Sequence, residues 1–187
     1  LSLPELTACQ ELFARKLIAA VNDLDNVLYE IGNEGDIRSA PWQYHLVRVI
    51  KEYEARLPKQ HLVGMTAMLD WPTHTDGANE VLLASPADWV SPSGAPYRVD
   101  VPAGNGAKAS ILDTHHIAAV KADWVWRSFT RGHHPILMDW YGHASLPMNW
   151  YTAEEQEVMR KYLGYTLRFA RRMDLAAAQP RNDLSST

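Results

Sequence analysis

The sequence predicts a parallel α/β fold, and three observations carry that prediction. Short apolar runs alternate along the chain with apolar stripes at helical spacing. Three of the runs pass directly into polar clusters at their carboxyl ends: Asn33-Glu34, Asp113-Thr114-His115 and Asp139-Trp140. A barrel of parallel strands collects its functional groups at that face. No glycine-rich phosphate loop follows any run, which leaves an open doubly wound sheet as the weaker alternative.

The elements follow in order. Residues 5–22 carry Leu6, Phe13, Leu17, Ala20 and Val21 near a 3.6-residue period and predict a helix. Residues 26–32 form the first apolar, β-prone run, which ends in Asn33-Glu34-Gly35. Ser39 is placed to cap the next helix, and Pro41 suits its first turn. Its stripe is Trp42, Leu46, Val49, Ile50, Tyr53 and Leu57, closed by Pro58. Residues 61–69 predict a second strand, 70–79 a polar loop and 87–91 a short third strand. The segment 92–108 holds three Pro and three Gly without a helical stripe, so it predicts an irregular connection.

Residues 109–113 predict a fourth strand, 119–131 a helix with Val120, Trp124 and Ser128 on one side, and 135–140 a fifth strand. Thr152 with Glu155 three positions on makes a capping box for a last helix. That helix carries Val158, Met159, Tyr162, Leu163, Thr166, Phe169, Ala170 and Met173. Residues 175–187 show no strong pattern. No repeat, low-complexity tract or linker divides the chain, so residues 1–187 read as one domain.

Bulk properties narrow the function. The 187 residues are 47% hydrophobic with a net charge of −4, enough for one core. Acidic charge without a basic stripe argues against a nucleic-acid surface. No apolar run is long enough for a membrane span, and none reads as a signal peptide. Leu1 to Leu6 lead straight into a helical pattern without an initiator Met, which predicts a chain cut from something longer. Cys9 is the one cysteine, so no internal disulfide forms and the compartment stays undetermined. Seven Trp and eight Tyr suit stacking on sugar rings, although aromatic side chains fill cores more often than clefts.

The string Tyr29-Glu30-Ile31-Gly32-Asn33-Glu34 resembles the fourth-strand motif of a large clan of retaining glycoside hydrolases, cellulase-like enzymes included. That clan is built on the (β/α)8, or TIM, barrel. In it the Glu directly after Asn is the general acid/base. The resemblance therefore implies Glu34 as acid/base and Asn33 as the neighbour that hydrogen-bonds the sugar.

A wider resemblance adds to it. Asp113-Thr114-His115-His116, the segment Trp124-Val125-Trp126-Arg127-Ser128-Phe129, Arg131-Gly132-His133 and Met138-Asp139 are similar to a bacterial family of candidate glycoside hydrolases. Those proteins show a D-T-D-H motif, a W-V-W-K-S-F helix and an F-M-D strand. Leu163-Gly164-Tyr165-Thr166, Arg171 to Ala176, Pro180-Arg181 and Leu184 to Thr187 resemble the family's last helix and exit. A β-rich domain normally follows that exit. The resemblance implies strands four to eight of a TIM barrel, its C-terminal half to two-thirds, without the first three strands. His115 departs from the pattern, standing where the family has a second acid.

Glycoside hydrolysis needs one carboxyl to protonate the leaving oxygen and another to attack the anomeric carbon or activate water. The clan's nucleophile is a Glu ending the seventh strand, and by the strand count that position falls at Asp113, a shorter acid. The bland alternative is a structural acid bonded to backbone or to Arg131. Glu30, four residues before Glu34 on the same strand face, reads as a buried structural acid paired with a His or Arg. Asn33, His115, His116, Asp139, Trp140 and Trp71 are the candidate substrate contacts. Trp140 is a sugar platform or a core residue, and Trp71 an outer subsite.

Two rival readings stand beside a glycosidase that needs no cofactor or metal. One is a metal-dependent hydrolase using His115, Asp113 and Asp139. Adjacent His residues on a strand point to opposite faces, so each of the pairs His115-His116 and His133-His134 supplies at most one ligand easily. The other is a barrel remnant that binds glycans without turnover. The expected partner is a carbohydrate, not a nucleic acid or membrane. An open barrel leaves two strand edges bare, which predicts a homo-oligomer or association with the missing N-terminal part.

Overall fold

A computed structural model of the chain describes residues 3–66, 68–70, 75–76, 79–117, 120–138 and 151–181. The strands are β1 (Tyr29–Glu30), β2 (Val63–Thr66), β3 (Leu69–Asp70), β4 (Thr75–Asp76), β5 (Trp89–Ser91), β6 (Ala109–Asp113) and β7 (His134–Ile136). The helices are α1 (Pro4–Val21), α2 (Ala40–Glu54), α3 (Asn79–Ala84), α4 (Ala95–Val99), α5 (Thr114–Ile117), α6 (Asp123–Thr130) and α7 (Ala153–Ala170). The fold is α/β, with a five-stranded parallel sheet in the order β1-β2-β5-β6-β7. The described residues thus hold five strands of the predicted parallel sheet, not the eight of a closed barrel. The chain divides into two compact units, Leu1–Val90 and Ser91–Thr187.

In the first unit, β1 runs parallel to β2 with Tyr29 opposite Val63 and Glu30 opposite Gly64. All four residues of β2 are buried, so its sequence runs apolar without alternation. Ile18 of α1, with Ala14 and Val21 beside it, joins Val47, Ile50, Val63 and Met65 in the core. Of the periodic residues that predicted this helix, Val21 packs against the core, while Leu6, Phe13 and Leu17 are 52, 70 and 50% exposed. Apolar residues lie on both faces of α1, and periodicity alone does not say which face meets the core. Ser39 stands at the N-cap of α2 but makes no side-chain cap bond. Its hydroxyl donates to the Asp36 carbonyl, and the Asp36 carboxylate caps the preceding 3-10 turn, Ile37–Ser39, through the Arg38 N–H.

The strand expected over 61–69 stops at Thr66. Leu69 and Asp70 instead pair antiparallel with Asp76 and Thr75, so Asp70, Thr75 and Asp76, expected in a polar loop, lie in strands. α3 follows and buries Leu82.

A polar cluster closes the amino ends of β1 and β2. The Glu54 carboxylate, 1% exposed, accepts from Asn22 Nδ2 (3.0 Å), the Tyr29 hydroxyl (3.0 Å) and the His61 N–H (2.7 Å). His61 Nδ1 lies 2.7 Å from it, while His61 Nε2 reaches the Leu24 carbonyl at 2.7 Å. With Nε2 donating to a carbonyl and Nδ1 donating to a carboxylate, both ring nitrogens carry protons.

In the second unit, β6 runs parallel to β7 with Ile111, Leu112 and Asp113 opposite His134, Pro135 and Ile136. Leu112, Ile117, Trp124, Val125 and Met159 form its core with Tyr97 and Val101. Those last two come from the segment expected to be irregular, which contains the short α4. Trp124 Nε1 donates to the Tyr97 carbonyl at 2.8 Å, which ties that segment to α6. Thr152 and Glu155 form the expected capping box at the start of α7. Among the described residues, no helix is long and apolar enough to cross a membrane.

Candidate functional site

Glu34 sits in a turn just beyond the carboxyl end of β1, with φ at 51°. The turn is held on both sides. Before it, the Ile31 N–H reaches the Gly64 carbonyl at 3.3 Å. The Thr66 hydroxyl shares its proton between Glu30 Oε1 (2.8 Å) and the Gly32 carbonyl (3.2 Å). After it, the Gly35 carbonyl accepts from the Leu69 N–H at 2.9 Å. A Cβ on Gly35 would lie 2.2 Å from Gln43 Nε2, so any larger residue here would displace this side chain. Gln43 is buried and anchored through Nε2 to Ser39 Oγ at 2.9 Å. Rigid neighbours on each side thus impose the left-handed backbone on Glu34, which is half-buried beside an exposed Asn33.

Two expectations change here. Alternation along a strand places Glu30 and Glu34 on one face, but β1 ends at Glu30 and the turn intervenes. Glu30 is also exposed rather than buried, and its described partner is the Thr66 hydroxyl, not a His or Arg.

In the second unit, Asp113 ends β6 and is buried. Its Oδ1 accepts from the His115 N–H at 2.8 Å, the Asp-type turn that starts a helix. Thr114 Oγ1 accepts from the Met138 N–H at 3.0 Å, extending the contact between the two strands beyond Ile136. His115 and His116 therefore lie in the helical turn α5, not on a strand with opposed rings, and their ring centroids are 5.5 Å apart. His115 is half-buried and His116 buried. His116 Nδ1 lies 3.1 Å from Ser91 Oγ, and its carbonyl meets the Gly94 N–H at 3.4 Å. The structure thus gathers Asp113, His115, His116 and Ser91 at the carboxyl ends of β5 and β6. Ser91 was not singled out from the sequence, where a Ser closing a short apolar run carries no signal.

Arg131 does not pair with Asp113; it lies 3.4 Å from Asp100 and donates to the Val101 carbonyl. His133 and His134 stand at the start of β7, with His134 opposite Ile111, so they do not join Asp113. His133 is buried and bonds the Pro102 carbonyl at 2.7 Å through Nε2. Burial pushes its imidazole below the usual histidine range, the Pro102 carbonyl opposes this, and His134 and Arg131 add to it. A cleft of 550 Å³ opens at that amino end, with Trp126, Phe129 and Phe169 in its wall.

Glu34 belongs to the first unit and Asp113 to the second. Trp71, Asp139 and Trp140 lie outside the described residues. Among the described residues, no group of three or more His, Cys, Asp or Glu side chains could hold a metal ion. No family model, curated protein or solved structure matches the chain.

Proposed function

We propose that the protein is a glycoside hydrolase that cleaves O-glycosidic bonds of oligo- or polysaccharides with two carboxylates and retention of configuration. The observation that carries this reading is the backbone of Glu34, the one non-glycine residue at positive φ among the described residues. A left-handed backbone costs an L-residue about 1–2 kcal/mol. Such strain persists where the surroundings impose it, and it clusters at functional sites. Here it falls on the residue that the sequence resemblance makes the acid/base.

Glu34 would protonate the leaving oxygen, and Asp113 would attack the anomeric carbon. The His115 N–H bond to Asp113 Oδ1 orients that carboxylate. Asn33, His115 and His116 are proposed to hold sugar hydroxyls, together with Asp139, and Trp140 and Trp71 to stack on sugar rings.

The test is turnover of oligosaccharides and aryl glycosides. Glu34→Gln is nearly isosteric but cannot donate the proton, so rates on natural glycosides should fall by about 10²–10⁴. The loss should be much smaller for an aryl glycoside whose leaving group departs without protonation. Asp113→Asn should impair both substrates alike, and a chelator should change neither. Normal rates on natural glycosides in Glu34→Gln would remove Glu34 from the acid role.

A further inference from the structure

A buried hydroxyl sets the chemistry of one histidine at the carboxyl ends of β5 and β6. Ser91 closes β5 and is 2% exposed, and His116 in α5 is 9% exposed. Ser91 Oγ lies 3.1 Å from His116 Nδ1, and the hydroxyl has no other partner among the described residues.

Two arrangements of protons fit that contact. In one, Ser91 donates its O–H to a bare Nδ1, and the proton of the neutral ring sits on Nε2. In the other, Nδ1–H donates to Oγ, and the serine proton is left without an acceptor. A buried O–H in that position gives up its hydration and recovers nothing. The first arrangement satisfies both atoms of the contact, so burial selects it.

The backbone keeps the ring in place. Asp113 Oδ1 accepts from the His115 N–H at 2.8 Å where α5 begins. The His116 carbonyl meets the Gly94 N–H at 3.4 Å, and the next residue, Ile117, is wholly buried in the core of the second unit. His116 is thus held from its backbone and from Nδ1 together. The bond made by one ring nitrogen decides which state the other takes.

We infer that Ser91 is a positioning residue: its hydroxyl holds His116 as the Nε2–H tautomer, so the ring can offer a sugar only a donated hydrogen bond. The sugar is taken from the glycoside hydrolase reading, whereas the tautomer rests on the contact alone.

Long-range proton–nitrogen NMR spectra of the intact, nitrogen-15-labelled chain read the tautomer directly. His116 is identified as the signal that His116→Gln removes. At about pH 8, above the ordinary histidine range, Nε2 should carry the proton and Nδ1 should be bare and hydrogen-bonded. Ser91→Ala removes the donor, so the Nδ1 signal should move. Ser91→Thr keeps a hydroxyl on the strand and should restore it. On a glycoside that the parent cleaves, Ser91→Ala should lower kcat/KM by about tenfold, with most of the loss recovered in Ser91→Thr.

A proton on Nδ1 in the parent, or an Nδ1 signal unchanged in Ser91→Ala, would overturn the inference whatever the turnover. Unchanged kcat/KM in Ser91→Ala would remove the positioning role. The expected tautomer in a chain that cleaves no glycoside would instead sink the glycosidase reading, and with it the sugar assigned to His116.

Discussion

At the scale of single residues, two glutamates show how surroundings assign different tasks to one side chain. Glu54 is almost fully enclosed and bonded by Asn22, Tyr29 and His61. Such an acid holds structure, because both of its oxygens are already engaged. Glu34 is half-buried in a left-handed turn whose flanks are fixed by Gly64, Thr66, Leu69 and Gln43. Glycine adopts that backbone without the Cβ penalty. Glu34→Gly should therefore relieve a backbone strain of about 1–2 kcal/mol, offset by what the side chain's own interactions contribute, and the proposed glycosidase turnover should be lost. Urea unfolding checks this. A loss of more than about 1 kcal/mol would show that the carboxylate itself holds the turn, and the strain argument for function would fall.

At the scale of elements, the first unit depends on one close approach. A Cβ on Gly64 would lie 1.9 Å from the Trp89 ring, well inside contact distance. Glycine in the middle of a buried strand otherwise costs stability, so its presence in β2 reflects that ring. Gly64→Ala should cost about 2–3 kcal/mol, because β2 and the indole are both enclosed and neither can shift freely. The measurement is the chemical-denaturation midpoint. An alanine variant as stable as the parent would mean the ring has room to move. The capping box of α7 is a contrasting case. Thr152 and Glu155 satisfy each other's backbone N–H groups locally, so four residues of sequence specify it without tertiary help.

At the scale of the whole molecule, stability should carry a signature of the Glu54–His61 cluster. Hydrogen bonding to Glu54, then to the Leu24 carbonyl, raises His61 above its ordinary 6.5 despite opposing desolvation. Burial works to raise Glu54, but bonds from His61, Tyr29 and Asn22 outweigh it and hold the carboxyl below its ordinary 4.5. A raised histidine stabilises fully below its unfolded value and loses that contribution as pH climbs through the folded one. A lowered carboxyl stabilises above its unfolded value and loses it as pH falls through the folded one. The contribution is therefore largest between pH 4.5 and 6.5 and declines on both sides. His133 has the opposite sign from His61, because its folded value is lowered and acid destabilises it. The parent should exceed His61→Asn by about 1–3 kcal/mol inside that window, and the gap should narrow toward pH 9. A gap independent of pH would show that His61 acts through packing alone.

Much of the local structure was legible in the chain itself. Alternating apolar runs and helical stripes announced a parallel α/β fold. The capping box, the strand ending at Asp113 and the polar turn at Asn33-Glu34 are all short-range patterns. Such patterns need only a few neighbouring residues, and the backbone obeys them wherever they occur. The outward face of α1, the hairpin that ends the run after Thr66, and the helical turn carrying His115 and His116 were decided otherwise. So were the exposure of Glu30 and the meeting of Ser91 with His116. Each of these depends on residues distant in sequence, which only the tertiary structure brings together. Periodicity can show that α1 has apolar faces, but the choice between them is made by α2 and β2. A left-handed glutamate is likewise invisible in sequence, because the forces that impose it come from Gly64, Leu69 and Gln43.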